Sequence, residues 1–163
     1  MIRPILLWPD SVLSQKCAPV LAIDDAVRAL CDDLLDTMYA APGRGLAAPQ
    51  IGVLQRVFVM DTSWKEGGRS PRIFINPEIS SASQTRLTGP EGCLSIPGVT
   101  TNVERAEAIT LRWTALDGSL FAEHLTGFDA VCAQHEFDHL EGLVTFDRLS
   151  ADQRQSIETS YFA

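Results

Sequence analysis

Between Asp24 and Ala40 the apolar residues fall at Val27, Leu30, Cys31, Leu34, Leu35 and Met38, the three- and four-residue spacing of one helical face. Pro42-Gly43 ends that pattern, so the spacing predicts an amphipathic helix over 24–40. Arg56–Met60 and Arg72–Ile75 are short runs rich in β-formers. From Ala108 to Trp113 the period drops to two, with Ile109, Leu111 and Trp113 set against Thr110 and Arg112. Asp117-Gly118 then supplies turn chemistry before Leu120–Leu125, which together predict a hairpin. Phe128–Gly142 predicts a second helix, closed by Gly142 just past its end. Ser150 with Gln153 forms a capping box for a short last helix. The expected architecture is an α+β domain, with β-sheets packed around one central helix.

Composition narrows the class. A chain of 163 residues fits one domain, 1–163, with a substantial core. No repeat, linker or low-complexity tract divides it, and its longest apolar run is far short of a membrane span. A net charge of −8 argues against direct nucleic-acid binding, which favours a basic face. Met1-Ile2-Arg3-Pro4 lacks the basic-then-apolar layout of a signal, and four dispersed cysteines suit a reducing compartment. The expected location is cytoplasmic.

The second helix carries the chemistry. His135-Glu136-Phe137-Asp138-His139 places two of the chain's three histidines one turn apart, so both imidazoles can reach one cation. Glu136 projects from a neighbouring angle, where it can take a proton from water without ligating. The same string arises by chance on solvated helices. Here its flanks, Val131, Cys132, Phe137, Leu140 and Leu143, are apolar, which predicts a buried helix whose polar residues need partners.

Catalytic sites of the zinc type take three protein ligands, and the third separates the classes. Thr145 stands where one class places a third histidine, which excludes that class. Glu158 lies near the spacing of another, five residues from the chain end. Cys132 is seven residues from His139, roughly 10 Å along a helix axis, too far for a short side chain to share the ion. Cys17 and Cys31 read as inert core thiols. Cys93, in Glu91-Gly92-Cys93-Leu94-Ser95-Ile96-Pro97-Gly98, is expected on an irregular segment between Gly92 and a Pro-Gly turn. On spacing alone Glu158 and Cys93 both stand.

A third segment, Gly43-Arg44-Gly45-Leu46-Ala47-Ala48-Pro49-Gln50-Ile51-Gly52, suits backbone lying against a ligand, with an amide donor at its end. It lacks the Lys-Ser/Thr of a phosphate loop and the glycine spacing of a dinucleotide turn. Taken in order, GRGLAAPQ, EGCLS and QHEFDHLEG resemble the three motifs of the peptide deformylase family. The likeness extends to Trp8-Pro9-Asp10 with Leu13, Pro19-Val20, Ile75-Asn76-Pro77 and Val103-Glu104-Arg105-Ala106, and so spans nearly the whole chain.

The resemblance implies a peptide deformylase-like fold around the HExxH helix and one divalent metal ion. Cys93, as thiolate, would hold that ion with His135 and His139. The ion would be Fe2+ in the cell, with Zn2+, Ni2+ or Co2+ able to substitute. The implied activity removes the formyl group from the N-terminal formylmethionine of newly made polypeptides and releases formate. Glu136 would move the proton, while the Gln50 amide and the Leu94 backbone N–H would stabilise the oxyanion. Gly45, Arg44, Glu91, Val131 and Cys132 would line the substrate site. The implied partners are N-formylmethionyl nascent chains, met in transient proximity to the ribosome, with no membrane involved.

Three residues depart from the family pattern. Arg44 stands where Val or Ile is usual, near the methionine pocket, and Gly43 and Gly45 leave its backbone free to turn the side chain outward. Ser14 replaces an arginine. Asp129 replaces an apolar residue in the first turn of the metal helix, where negative charge is favourable. Other readings of the same residues are a paralogue with altered formyl- or acyl-amide preference, a metallopeptidase using Glu158, and a non-catalytic metal- or peptide-binding module. Binding alone requires neither Glu136 nor Gln50.

Overall fold

The computed structural model describes residues 1–163. Its elements run α1 (Asp25–Ala40), β1 (Gly45–Ala47), β2 (Val57–Met60), β3 (Arg72–Ala82), β4 (Arg86–Cys93), β5 (Ile96–Ala106), β6 (Ala108–Thr114), β7 (Leu120–Thr126), α2 (Gly127–Leu140) and α3 (Ala151–Phe162). Short 3-10 turns at Ser11–Ser14, Ala48–Ile51 and Thr145–Arg148 complete it. Five antiparallel strands form one sheet in the order β1-β2-β3-β6-β7, and β4 pairs with β5 in a second, two-stranded sheet. Helix α2 packs against β1, β2, β6 and β7 of the larger sheet and β5 of the smaller one. This is the expected α+β arrangement around a central helix.

The apolar stripe of α1 behaves as its spacing predicts: Val27, Leu30, Cys31, Leu34 and Met38 are buried, facing Leu46, Val57, Val59 and Ile75 from the sheet. Asp24 caps the helix, its carboxylate accepting from the Val27 N–H at 3.0 Å. The hairpin β6–β7 pairs Ala108 with Thr126 through Thr114 with Leu120, and its turn uses Gly118 at φ +85°. Ser150 and Gln153 form the expected capping box on α3. That helix docks through Tyr161, whose hydroxyl donates to the Trp8 carbonyl and whose ring meets Trp8 and Phe146.

Two features differ from expectation. Strands β4 and β5 lack an apolar alternation because the inward positions of β5 include Thr101 and Arg105 beside Val103. The pair faces buried charge, so a hydrophobic pattern passes over it. Cys93 is therefore not on an irregular segment but ends β4, where a register shift and a tight reversal through Leu94-Ser95 pair it with Ile96. Pro97-Gly98 likewise lies within β5, with Gly98 at φ +78°.

Helix α2 is buried on most of its circumference, with Ala130, Cys132, Ala133, His135, Glu136, Asp138, His139 and Leu140 all below the surface. At its C-terminus the Leu140 carbonyl accepts from the Cys17 N–H at 2.9 Å and from Arg56 at 3.1 Å, a cation placed where the helix dipole favours it. Gly142 then turns the chain at φ +79°, and a Cβ there would lie 2.8 Å from the Ser14 carbonyl oxygen. Left-handed backbone and a main-chain clash both oppose any side chain. Gly142→Ala is expected to destabilise by about 2–3 kcal/mol. On a domain of this size that lowers Tm by roughly 4–10 °C in a thermal melt, and an unchanged Tm would contradict this turn geometry.

Candidate metal centre and active site

His135 and His139 sit one turn apart on α2 with ring centroids 5.1 Å apart. Cys93 reaches them from the end of β4, its Sγ 3.5 Å from His139 Nε2. One donor atom from each residue lies within 4.8 Å of the other two. Donors around a tetrahedral ion with bonds of about 2.0–2.3 Å stand roughly 3.4–3.8 Å apart, so little movement closes this cluster on one ion. A thiolate with two imidazoles suits zinc, iron or nickel and not the oxygen-seeking calcium or magnesium. The cluster can hold a metal ion.

Behind the cluster lies a chain of buried charge. His135 Nδ1 is 2.8 Å from Glu91 Oε1, which fixes the ring and leaves Nε2 for the cluster. Arg105 grips Glu91 through Nε at 2.8 Å and Nη2 at 2.9 Å, and reaches Asp138 through Nη1 at 2.8 Å. Arg148 closes the far side of Asp138 with contacts of 2.9 and 2.6 Å. Two carboxylates and two guanidiniums cancel. Burial alone would push the Glu91 carboxyl up, but His135 and Arg105 hold it below its ordinary value. Asp138 is likewise kept low against its burial by Arg148 and Arg105.

The thiol is poised for ligation, whereas His135 is held well above its usual value, against its burial, by Cys93, Glu136 and Glu91 and must give up a proton to ligate. Burial opposes ionisation of Cys93, yet His139 and His135 outweigh it and hold the thiol well below its usual value. Burial pushes Cys17 and Cys31 up to about 11, so they are inert core thiols as expected. Burial, with the charges of Glu136 and Asp129, drives Cys132 well upward, which makes it a packing thiol beside the centre. Glu136 is 4% exposed, and burial raises its carboxyl against the pull of His135 and His139. Its Oε1 is buried without a partner.

The Gln50 amide is oriented. The Ala47 N–H donates to Oε1 at 2.9 Å, so Nε2 points the other way, giving one hydrogen to Ser95 Oγ at 3.0 Å and facing Cys93 Sγ at 3.9 Å. The Ala48–Ile51 turn that carries it has Pro49 in its first positions and closes on Gly52 at φ +85°. Gly45 has a steric reason: a Cβ would fall 2.6 Å from Glu136 Oε2 and 2.9 Å from Cys132 Sγ. Backbone thus lies directly against the carboxylate.

A cavity of about 600 Å³ opens over these groups. Its walls include every substrate-site candidate read from the sequence, Arg44, Gly45, Glu91, Val131 and Cys132, together with Gln50, Cys93, Leu94, His135 and Glu136. Glu158 is elsewhere: it pairs with Arg154 on α3 at 2.6 Å and takes no part in the cluster. Arg44 neither floats in solvent nor fills the cavity floor. It pairs with Glu66 at 2.6 Å, donates to the Thr62 carbonyl at 2.8 Å and lies over the Phe128 ring. Asp129 sits in the first turn of α2, as expected, and accepts from the Thr62 hydroxyl.

A family model for polypeptide deformylase matches residues 2–155. The chain belongs to that family. A peptide deformylase of Phenylobacterium zucineum is 49% identical over 154 residues, covering 94% of this chain and 91% of that one. One from Pseudomonas aeruginosa is 46% identical over 156 residues, covering 96% of this chain and 92% of that one. The crystal structure of a peptide deformylase from Legionella pneumophila superposes with a TM-score of 0.92 at 38% identity, over 99% of this chain and 94% of that one. Deformylases are enzymes that remove N-formyl groups, and this chain is one of them.

Sequence reasoning missed the role of Arg105, Asp138 and Arg148, and the contact of Ser95 with Gln50. A signal existed: a glutamate and an aspartate beside buried histidines need cations. Which arginines would meet them depended on the pairing of β4 with β5. Glu91→Gln keeps an acceptor for His135 but removes the charge that Arg105 and the imidazole share. Metal affinity is expected to fall about 10–100-fold, read by competition with a chromophoric chelator, and undiminished affinity would contradict that coupling. Because Arg44 is held by Glu66 and Thr62, Arg44→Ile is expected to change kcat/KM on a formyl-methionyl peptide by less than about tenfold. A rise deep into the range of roughly 10–200-fold expected for repairing a hydrophobic pocket would show that the arginine obstructs it.

Proposed function

We propose that this deformylase is a metal-dependent hydrolase that acts on the formylmethionine of newly made polypeptides in the cytoplasm and releases formate. The observation that carries the reading is the convergence of Cys93, His135 and His139 beside a buried Glu136, whose Oε1 has no hydrogen-bond partner, at the wall of one cavity. Cys93 Sγ, His135 Nε2 and a nitrogen of His139 would hold one divalent ion, Fe2+ in the cell with Zn2+, Ni2+ or Co2+ as substitutes. When bound, such an ion polarises a carbonyl and lowers the pKa of water beside it.

The chain's own residues do the rest. Glu136, its carboxyl raised by burial, is the general base that takes a proton from water as the oxygen adds to the formyl carbon. Negative charge then develops on the formyl oxygen. The Gln50 Nε2 hydrogen on the side of Cys93 Sγ, rather than the one given to Ser95, and the Leu94 backbone N–H are the donors that meet it. The C–N bond breaks, Glu136 returns its proton to the departing nitrogen, and formate and a free amine result. Gly45 lets the peptide backbone lie close to the carboxylate, while Val131, Cys132 and the edge of Glu91 shape the pocket for the methionine side chain. Arg44, held at the wall by Glu66, adds no charge to the reacting end.

The test is formate release from formyl-Met-Ala with anaerobically prepared protein, coupled to metal analysis. Glu136→Ala is expected to keep its metal and fold while losing nearly all hydrolysis, because only proton transfer is removed. Cys93→Ala, His135→Ala and His139→Ala are expected to lose most of the metal. Loss of metal in the Glu136 variant equal to theirs would make that residue a ligand and overturn its assignment as the base.

A further inference from the structure

Residues 61–70 link β2 to β3 and stand beside the cavity without belonging to any of the three motifs. The loop is closed at its base by Asp61, whose carboxylate accepts from the Tyr39 hydroxyl at 2.6 Å and from the Ser70 N–H at 2.7 Å. It is pinned to the substrate-side backbone at three points. Trp64 Nε1 donates to the Gly43 carbonyl at 2.9 Å, the Asp61 N–H donates to the Arg44 carbonyl at 2.9 Å, and Arg44 bonds the Thr62 carbonyl and Glu66. Trp64 meets Tyr39 edge-on at 5.2 Å, and the Arg69 guanidinium covers the Tyr39 ring at 4.0 Å. The loop is therefore a fixed wall, and it brings Lys65 to the lining of the cavity.

The charges around the cavity are otherwise matched. Arg44 is held by Glu66, and Glu91 by Arg105 and His135, while Glu136 stands at the reacting end. Lys65 is exposed and has no carboxylate within ion-pair distance; its nearest partner is the Trp64 ring, 5.7 Å away. It is the one lysine or arginine of the lining without an ion pair. On a chain of net charge −8, whose general field repels acidic peptides, a free cation at the cleft wall acts on whatever passes beside it.

We propose that Lys65 is a specificity-determining residue that favours formyl-peptides with acidic side chains in the positions following the formylated methionine. The assignment rests on the deformylase reading above: with the formyl group at Cys93 and the histidines and the peptide backbone beside Gly45, the residues that follow lie in the cavity whose lining includes Lys65.

The experiment compares kcat/KM for C-terminally amidated formyl-Met-Glu-Glu, formyl-Met-Gln-Gln and formyl-Met-Lys-Lys, so that only side-chain charge varies. The ratio of the acidic to the basic peptide is expected to be about two- to tenfold at low ionic strength and to shrink toward one as salt screens it. Lys65→Glu is expected to invert that ratio and Lys65→Ala to bring it near one. A ratio near one in the unaltered protein, or a ratio that Lys65→Glu leaves unchanged, overturns the assignment. Absence of formate release from the neutral peptide overturns the deformylase reading itself, which distinguishes the two failures.

Discussion

Arg105 holds the structure's functional end together. Its guanidinium binds carboxylates from β4 and from α2 at once, deep enough that arginine, Glu91 and Asp138 are each nearly inaccessible. Removing one member of such a group strands a charge in a poor solvent, at a cost of about 3–5 kcal/mol. The network thus does more than add stability. It fixes where the strand pair β4–β5 sits against α2, and through Glu91 it fixes the His135 ring. Cys93 is two residues beyond Glu91 on the same strand. The thiol is delivered to the histidines by the same contact that orients one of them.

That constraint explains which parts of the molecule were legible in the sequence. Helix α1 and the β6–β7 hairpin follow from hydrophobic period alone, since each buries an apolar face against an apolar neighbour. The cap at Asp24, the turn at Gly118 and the box at Ser150 follow from local hydrogen-bonding chemistry. Strands β4 and β5 do not, because Thr101 and Arg105 take inward positions that a hydrophobic pattern assigns to solvent. The length of β3 was likewise hidden, since its outer half, from Glu78 onward, is mostly exposed. On spacing alone Glu158 and Cys93 both stood as third donors, and the family resemblance favoured Cys93; the pairing of strands brings Cys93 to His139 and leaves Glu158 on α3 beside Arg154.

The site divides its labour between rigid and responsive groups. Gln50 has its amide orientation set by the Ala47 N–H and Ser95, and Gly45 is glycine because Glu136 and Cys132 occupy the space a side chain would need. Cys93, Glu136 and His135 are groups whose proton affinity the surroundings move, the thiol downward toward thiolate and the carboxyl and imidazole upward. Arg44, which departs from the family pattern, is held in a wall built from Thr62, Glu66, Phe128 and Asp129. Variation at the rim can therefore change which peptides enter without touching the chemistry.

The proposed chemistry requires that one thiolate and two imidazoles from two separate elements close on a single ion. X-ray absorption at the metal edge of anaerobically loaded protein tests that requirement most directly. Ligation by Cys93, His135 and His139 predicts one sulfur scatterer at about 2.3 Å and two imidazole nitrogens at about 2.0–2.1 Å. A spectrum with no sulfur in the first coordination sphere would contradict the placement of Cys93, and with it the reason for β4 ending where it does.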